Sequence, residues 1–148
     1  MTWRKCGVTN EKFLADTSVW INAIRRDGCP EVRGWLKTAL LEEKIFMAPP
    51  VKAEVLSGAA TGKQFENLKN DLNAIPLLGR DGEVWEYTAK LNFTLRRKGI
   101  NVPMMDALIA SWAIVHGCIL IHHDRHYQLI EGADRNLESV SMPSLSGG

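Results

Sequence analysis

The chain has 148 residues, of which 45% are hydrophobic and 24% charged, and this predicts one compact domain with its own core. Its 18 Lys and Arg residues nearly balance its 17 Asp and Glu residues. That balance excludes a global positive field as the basis of nucleic-acid binding, so any such affinity requires local basic patches. No uncharged stretch reaches the length that crosses a membrane.

The cysteines indicate a reduced protein. Cys6, Cys29 and Cys118 are odd in number and form no CxxC pair, and Cys118 lies in the apolar run CILI. This usage favours a buried thiol over a disulfide framework or a zinc site. The N-terminus lacks the apolar segment of a secretory signal. We therefore expect a soluble protein of the cytoplasm.

The predicted elements of the first half alternate between strand and helix. The strand FLAD precedes the helix TSVWINAIRR, for which Thr17 or Ser18 is the predicted cap. Next in chain order come a helix at 31–43, a strand at 45–48 (IFMA), a helix opened by proline at 49–59, a helix at 62–74 and a strand at 75–78 (IPLL).

The second half continues the pattern. An amphipathic helix is predicted for 81–98, with Trp85 on its apolar face, and Gly99 ends it. The helix MMDALIASWAIVHG, opened by Pro103, is apolar on almost every side and is therefore expected to be central and buried. The remaining elements are the strand CILIHH, a short helix at 126–131 and a strand at 137–140.

The alternation predicts an α/β fold with a mostly parallel central sheet covered by helices on both faces. We expect an N-terminal extension at 1–11, a single domain at 12–141 and a flexible tail at 142–148. In open sheets of this kind, ligands bind outside the carboxyl ends of the strands.

Four acidic residues fall where that rim is expected. Asp16 ends the first strand, Asp124 ends CILIHH, and Glu54 and Asp106 lie in the opening turns of helices that begin with proline. Carboxylates brought together from distant segments repel one another, and a divalent cation is the usual compensation. The four residues therefore predict a metal site, and such a site usually handles phosphate.

Each of these residues has a simpler interpretation when it is taken alone. An Asp at a strand end is most often a helix cap, and a carboxylate in a first turn most often complements the helix dipole. Glu54 has the weakest local support, because VKAEVL is ordinary helix sequence. The prediction of a site depends on the combination.

Five segments, FLADTSVWI, APPVKAEVLSGA, LRRKGINVP, MMDALIASWAIVHG and CILIHHDRHY, carry a resemblance to a known family. The chain resembles PIN-domain ribonucleases and, more narrowly, the VapC toxins of bacterial toxin–antitoxin pairs, from residue 13 to about residue 140. The resemblance implies a PIN-like three-layer α/β/α sandwich. It also implies an endoribonuclease dependent on Mg²⁺ or Mn²⁺, with an acidic quartet of Asp16, Glu54, Asp106 and Asp124.

The same resemblance implies partners. A small antitoxin protein, a homodimer, and structured RNA such as tRNA or rRNA as substrate are all family expectations. Arg125, beside Asp124, is the first candidate for a contact with RNA phosphates, ahead of Arg25, Arg26 and the basic run at 96–98.

Two further positions extend the site. Ser18 matches a family position that often carries a hydroxyl or amide near the metal. His122 stands where relatives commonly have Thr or Ser, and strand alternation puts it on the face of Asp124. There it would bind phosphate or bias the site toward manganese, or else bond the backbone at the strand end. His116 and His126 are expected to be surface or structural residues.

The predicted chemistry is hydrolysis assisted by two cations, which leaves a 5′-phosphate and a 3′-hydroxyl. We expect Asp16 and Asp106 to hold the principal ion and Asp124 to help hold a second. Glu54 would orient ligands or the attacking water.

Three other functions compete with this one. The dipeptide His123-Asp124 suggests an HD-type metal phosphohydrolase, but that class needs further ligands on an all-helical fold. A haloacid-dehalogenase-like phosphatase would have a second Asp at the position of Ser18. A non-catalytic RNA- or protein-binding module on the same fold stays open, because a sequence does not show that a metal binds.

Overall fold

The computed structural model describes residues 11–142, so Cys6, most of the predicted N-terminal extension and nearly all of the predicted tail lie outside the described residues. Four strands and seven helices run along residues 11–142. In chain order they are β1 (Phe13–Ala15), α1 (Thr17–Ile24), α2 (Pro30–Leu41), β2 (Ile45–Phe46), α3 (Pro49–Ser57), α4 (Gly62–Leu72), α5 (Asp81–Arg97), α6 (Met104–His116), β3 (Ile119–His122), α7 (Arg125–Ala133) and β4 (Ser139–Ser141).

The strands form one parallel sheet in the order β2-β1-β3-β4. The two central strands, β1 and β3, are buried along their whole length, and Ala15 is the partner of Ile121 at their carboxyl ends. Parallel neighbours need a crossover connection, and helices supply it here. The predicted α/β fold with a parallel sheet is therefore confirmed.

The predicted strand IPLL is the main error in the assignment of elements. The structure reduces it to a single bridge between Met47 and Leu77, in which the Met47 N–H donates to Pro76 O and the Leu78 N–H donates to Met47 O. Pro76 has no N–H to extend the ladder, and proline is confined to the margins of sheets for that reason.

Helix α6 is the central helix, as its composition predicted, and every residue from Ala107 to Ala113 is buried. The prediction for Trp85 was wrong, because its side chain is 53% exposed. The buried stripe of α5 runs through Val84, Thr88, Leu91 and Leu95, at helical spacings of three and four. Trp85 lies one residue off that stripe, and one residue turns a helix by about 100°.

Each central strand is followed within two residues by an aspartate that caps the next helix. The carboxylate of Asp16 accepts from Ser18 N at the start of α1, and that of Asp124 accepts from His126 N at the start of α7. The predicted cap, Thr17 or Ser18, was wrong by one or two positions. Because β1 and β3 are parallel neighbours, the two capping carboxylates lie at the same edge of the sheet.

Two of the three cysteines are described, and both Cys29 and the buried Cys118 are free thiols. Burial raises the pKa of the Cys118 thiol to about 11, which makes this side chain an inert part of the core. Within residues 11–142 no helix combines the length and the apolar character needed to cross a bilayer.

Candidate metal centre

Asp16 is buried, and both of its carboxylate oxygens accept hydrogen bonds. Oδ2 accepts from the backbone N of Ser18 at 3.1 Å and from Ser18 Oγ at 2.7 Å. Oδ1 accepts from the Tyr127 hydroxyl at 2.7 Å. Each carboxylate oxygen has about two lone-pair sites, so the remaining acceptor capacity of Asp16 is on Oδ1. Ser18 therefore contacts this carboxylate through two hydrogen bonds, and its place near a metal stays a prediction.

Asp106 and Asp124 meet at the imidazole of His126. Nδ1 of His126 lies 2.8 Å from Asp106 Oδ2 and 3.2 Å from Asp124 Oδ1. The side chain of Asp106 is 16% exposed, whereas those of Asp124 and His126 are 39% and 34% exposed. One ligand atom from each of the three residues lies within 4.8 Å of the other two. The group is therefore compact and open to solvent on one side.

The neighbouring carboxylates of the site affect the pKa of Asp106. Burial raises the pKa of Asp106, and the neighbouring carboxylates of Asp124 and Asp16 raise it further, against the lowering effect of the His126 hydrogen bond. A raised pKa means that the ionised form is disfavoured where it lies. A cation bound among these carboxylates would relieve that penalty.

Tyr127 contacts both Asp16 and Asp106 through its hydroxyl. Its side chain is fully buried, and its hydroxyl lies 2.7 Å from Asp16 Oδ1 and 3.5 Å from Asp106 Oδ1. Burial and the acidic neighbours raise the pKa of Tyr127 far above its usual value. The phenol therefore keeps its proton and acts as a donor between two carboxylates.

Glu54 stands apart from the other three acidic residues. It is half-buried on α3, and its Oε1 accepts from Thr17 Oγ1 at 2.5 Å. Thr17 follows Asp16 directly, so Glu54 contacts the same helix terminus. The structure thus brings Asp106 and Asp124 together at His126 and joins Asp16 to Asp106 through the Tyr127 hydroxyl. Glu54 is connected to them through Thr17.

His122 does not enter the site as a free imidazole. The residue is 1% exposed, and its Nδ1 accepts from the backbone N of Asp124 at 3.2 Å. Its ring packs on Tyr127 at a centroid distance of 5.0 Å. Burial lowers the pKa of His122, which favours the neutral form. The backbone alternative describes Nδ1, and a contact of His122 with phosphate or metal stays a prediction.

Sequence reasoning missed His126 and Tyr127. His126 was assigned a surface or structural role, yet its ring contacts two of the acidic residues. A local signal was present, because both residues lie in the first turn of α7, directly after the carboxylate that caps it. A capping Asp at the predicted rim brings its helix's first turn to the same place.

The arginines predicted to contact RNA phosphates differ in their contacts within the protein. Arg125 is the first residue of α7 and is exposed beside Asp124. Arg25 is exposed and forms an ion pair of 3.3 Å with Asp27, and Arg26 next to it is also exposed. The Arg97 guanidinium lies over the Phe93 ring at 5.6 Å. Arg125 is the candidate that directly follows one of the acidic residues in the chain.

The donor set fits a divalent cation. Carboxylate oxygens are the ligands preferred by Mg²⁺ and Mn²⁺, and one imidazole is compatible with Mn²⁺ and other transition metals.

The HD-type alternative required an all-helical fold and is contradicted by the parallel sheet.

Comparisons with known proteins identify the family of the chain. Residues 13–133 match the family described as PIN domain. This span lies inside the predicted domain at 12–141, whose exact bounds stay a prediction. Over 135 residues, the chain is 33% identical to "VapC ribonuclease Mb1587" of Mycobacterium bovis and to "Ribonuclease VapC11" of Mycobacterium tuberculosis, covering 88% of this chain and 98% of each relative.

Solved structures share the fold at lower identity. A DNA-bound VapBC structure from Salmonella typhimurium has a TM-score of 0.73 and 19% identity, and covers 88% of this chain and 98% of its own. VapBC2 from Rickettsia felis, bound to a DNA fragment from its promoter, has a TM-score of 0.70 at 19% identity with the same coverage. The predicted PIN-like architecture is therefore confirmed.

Proposed function

We propose that this chain, which belongs to the PIN domain family and within it to the VapC proteins, is a metal-dependent endoribonuclease. Its relatives at 33% identity are named ribonucleases. The single observation that carries the proposal is the meeting of Asp16, Asp106 and Asp124 around the first turn of α7. Burial and the two neighbouring carboxylates raise the pKa of Asp106, and a bound divalent cation would compensate for that penalty.

We assign the cation ligands to the acidic quartet. Asp16 would contribute Oδ1, because Ser18 already occupies Oδ2 with two hydrogen bonds. Asp106 would share the principal ion with Asp16, and Asp124 would help hold a second. Divalent cations bound there would polarise the scissile phosphate and lower the pKa of a water for in-line attack.

The protein's own residues prepare that chemistry by orientation. Tyr127 and Ser18 hold the Asp16 carboxylate from opposite oxygens. Thr17 holds Glu54, which would orient a ligand or the attacking water. Arg125, exposed at the rim, would contact an RNA phosphate. The buried ring of His122 supports Tyr127 from behind.

The partners are inferred from the family. The solved relatives from Rickettsia felis and Salmonella typhimurium are VapBC complexes bound to DNA. We infer that this chain is the toxin of a toxin–antitoxin pair, binds a small antitoxin protein and forms a homodimer. Its substrate would be structured RNA, of the tRNA or rRNA class, in the cytoplasm.

The test is cleavage of total RNA by the purified chain, freed of any bound partner, in Mg²⁺, Mn²⁺ or EDTA. Wild type should give discrete fragments with 5′-phosphate and 3′-hydroxyl ends in either metal and none in EDTA. Asp16→Asn is a clean probe, because Asn caps a helix about as well as Asp. The exposed Asp71, outside the site on α4, supplies the control Asp71→Asn, which should cut like wild type.

The binding-module alternative predicts a different pattern. A folded wild-type protein that binds RNA but cuts nothing in any metal would support it. Cleavage that survives in Asp16→Asn and Asp106→Asn would place the active site elsewhere. Fragments with 2′,3′-cyclic phosphate ends would overturn the hydrolytic mechanism.

A further inference from the structure

We propose that His126 is a nitrogen ligand of the cation in this site and that it biases the site toward Mn²⁺ over Mg²⁺. This inference rests on the proposed function and goes beyond the acidic quartet. It is carried by geometry: one imidazole nitrogen lies 2.8 Å from an oxygen of Asp106 and 3.2 Å from an oxygen of Asp124.

These two distances match those between neighbouring ligand atoms of a single bound cation. Ligand atoms about 2.1 Å from one octahedral cation lie about 3 Å from each neighbouring ligand atom. Nδ1 of His126 already has that spacing to both carboxylate oxygens. All three ligand atoms lie within 4.8 Å of one another. A cation could therefore replace the hydrogen bonds with little movement of the three side chains.

A purely structural role explains the contacts less well. Nδ1 carries at most one hydrogen in either protonation state of the ring, so it has a single proton to offer two carboxylates. The backbone N of His126 already donates to Asp124 Oδ1 at 2.9 Å, so the cap is satisfied without the ring. The side chain is 34% exposed, so it adds little to the core. Binding of a metal ion would explain why the His126 ring lies between Asp106 and Asp124.

The neighbouring residues His126 and Tyr127 contact the acidic residues from different sides. Tyr127 donates to Asp16 and contacts Asp106 from the buried side, whereas His126 contacts Asp106 and Asp124 from the exposed side. The Tyr127 hydroxyl is already engaged as a donor to Asp16, whereas the ring nitrogen of histidine is a common metal ligand. Ligation therefore falls to His126.

The nitrogen donor sets the preference between metals. Mg²⁺ is a hard cation that takes oxygen ligands, whereas Mn²⁺ lies on the series of transition metals that also accept imidazole. One of the alternatives that the sequence left open gave a manganese bias to His122, but that ring is buried and its Nδ1 accepts from the backbone. His126 is the imidazole whose nitrogen lies among the carboxylates of the described chain.

The first test is pulsed electron paramagnetic resonance on the full chain, stripped of metal and loaded with MnCl₂. Wild type should show coupling of the Mn²⁺ electron spin to a ¹⁴N nucleus of imidazole. His126→Gln should lose the coupling. His116→Gln removes an imidazole whose Nε2 bonds Gly79 O, away from the site, and should keep it.

Calorimetric titration with MnCl₂ and MgCl₂ supplies the second readout. His126→Gln should weaken Mn²⁺ binding about tenfold, the order found when a supporting metal-site residue is removed, and Mg²⁺ binding by less. Nitrogen coupling that persists in His126→Gln, or an unchanged ratio of the two affinities, would overturn this inference alone. Wild-type affinity for both metals in Asp106→Asn would instead overturn the proposed site.

Discussion

The hydroxyl of Tyr127 donates a hydrogen bond of 2.7 Å to Asp16, a residue 111 positions earlier in the chain. The bond joins the first turn of α7, which follows β3, to the residue that follows β1, and the two strands are parallel neighbours. It satisfies one oxygen of a buried carboxylate that would otherwise be costly. Tyr127 is therefore both a structural connection and a positioning residue of the proposed site.

Tyr127→Phe should lower both the stability and the metal affinity of the protein. The variant keeps the ring that packs on His122 but leaves Asp16 Oδ1 without its donor. A hydrogen bond to a charged group contributes about 1.5–3 kcal/mol, so the free energy of unfolding without metal should fall by about 2 kcal/mol. Mn²⁺ binding should weaken about tenfold, because the ligand is less well oriented.

Tyr87→Phe is the matched control. Its hydroxyl donates to Asp134 Oδ2 at 2.6 Å, away from the acidic group. Removing that hydroxyl should reduce stability in urea unfolding and leave the calorimetric Mn²⁺ affinity unchanged. Equal loss of metal affinity in both variants would mean that Tyr127 acts only through general stability.

Asp106→Asn should stabilise the metal-free protein at neutral pH. Because the pKa of Asp106 is raised in the folded state, chiefly by burial, the protonated carboxyl is favoured there. Its contribution to stability is present below the unfolded pKa and is lost as the pH rises through the folded pKa. The neutral amide of Asp106→Asn does not ionise, so the variant does not lose this stability as the pH rises.

Thermal unfolding in EDTA measures this effect. The variant should melt above wild type at pH 7, and the gap should close as the pH falls toward about 4, near the unfolded pKa of Asp. In Mn²⁺ at about 100 times its Kd, wild type gains about 2.7 kcal/mol, so the order of stabilities should reverse. A variant that melts below wild type at pH 7 in EDTA would contradict the prediction.

Arg125→Ala should weaken RNA binding more than Arg25→Ala. Arg125 is exposed beside Asp124, whereas Arg25 already pairs with Asp27. Loss of one phosphate contact lowers the slope of log K against log salt by about 1. Binding should be measured at several salt concentrations in the Asp106→Asn background, so that the RNA stays intact. Equal slopes for the two variants would remove Arg125 from the RNA contact.

Gly28→Ala should strongly destabilise the connection between α1 and α2. A Cβ at Gly28 would lie 1.8 Å from the backbone O of Asn22 and 3.1 Å from that of Arg25. Backbone atoms of a helix end cannot yield, so we expect a loss of about 3 kcal/mol in urea unfolding. Gly34→Ala, inside α2 with nothing within 4 Å of the new atom, should instead gain about 0.5–1 kcal/mol. Similar effects of the two changes would refute the steric argument.

The sequence by itself determined the alternation of strands and helices and the positions of the acidic residues. Strand, helix and cap preferences act over a few residues, so FLAD followed by an amphipathic run places Asp16 at a strand end without further information. The same local pattern placed Asp124. Parallel pairing of those strands then put both carboxylates at one rim.

Only the tertiary structure decided which side chains complete the site. Strand alternation placed His122 on the face of Asp124, but burial against Tyr127 turned it to the backbone. His126 and Tyr127 were placed by the packing of α7 against α6 and by the bond from Tyr127 to Asp16, through contacts between residues 20 and 111 positions apart. Such contacts depend on which distant elements share one space, and a pattern of a few residues does not carry that information.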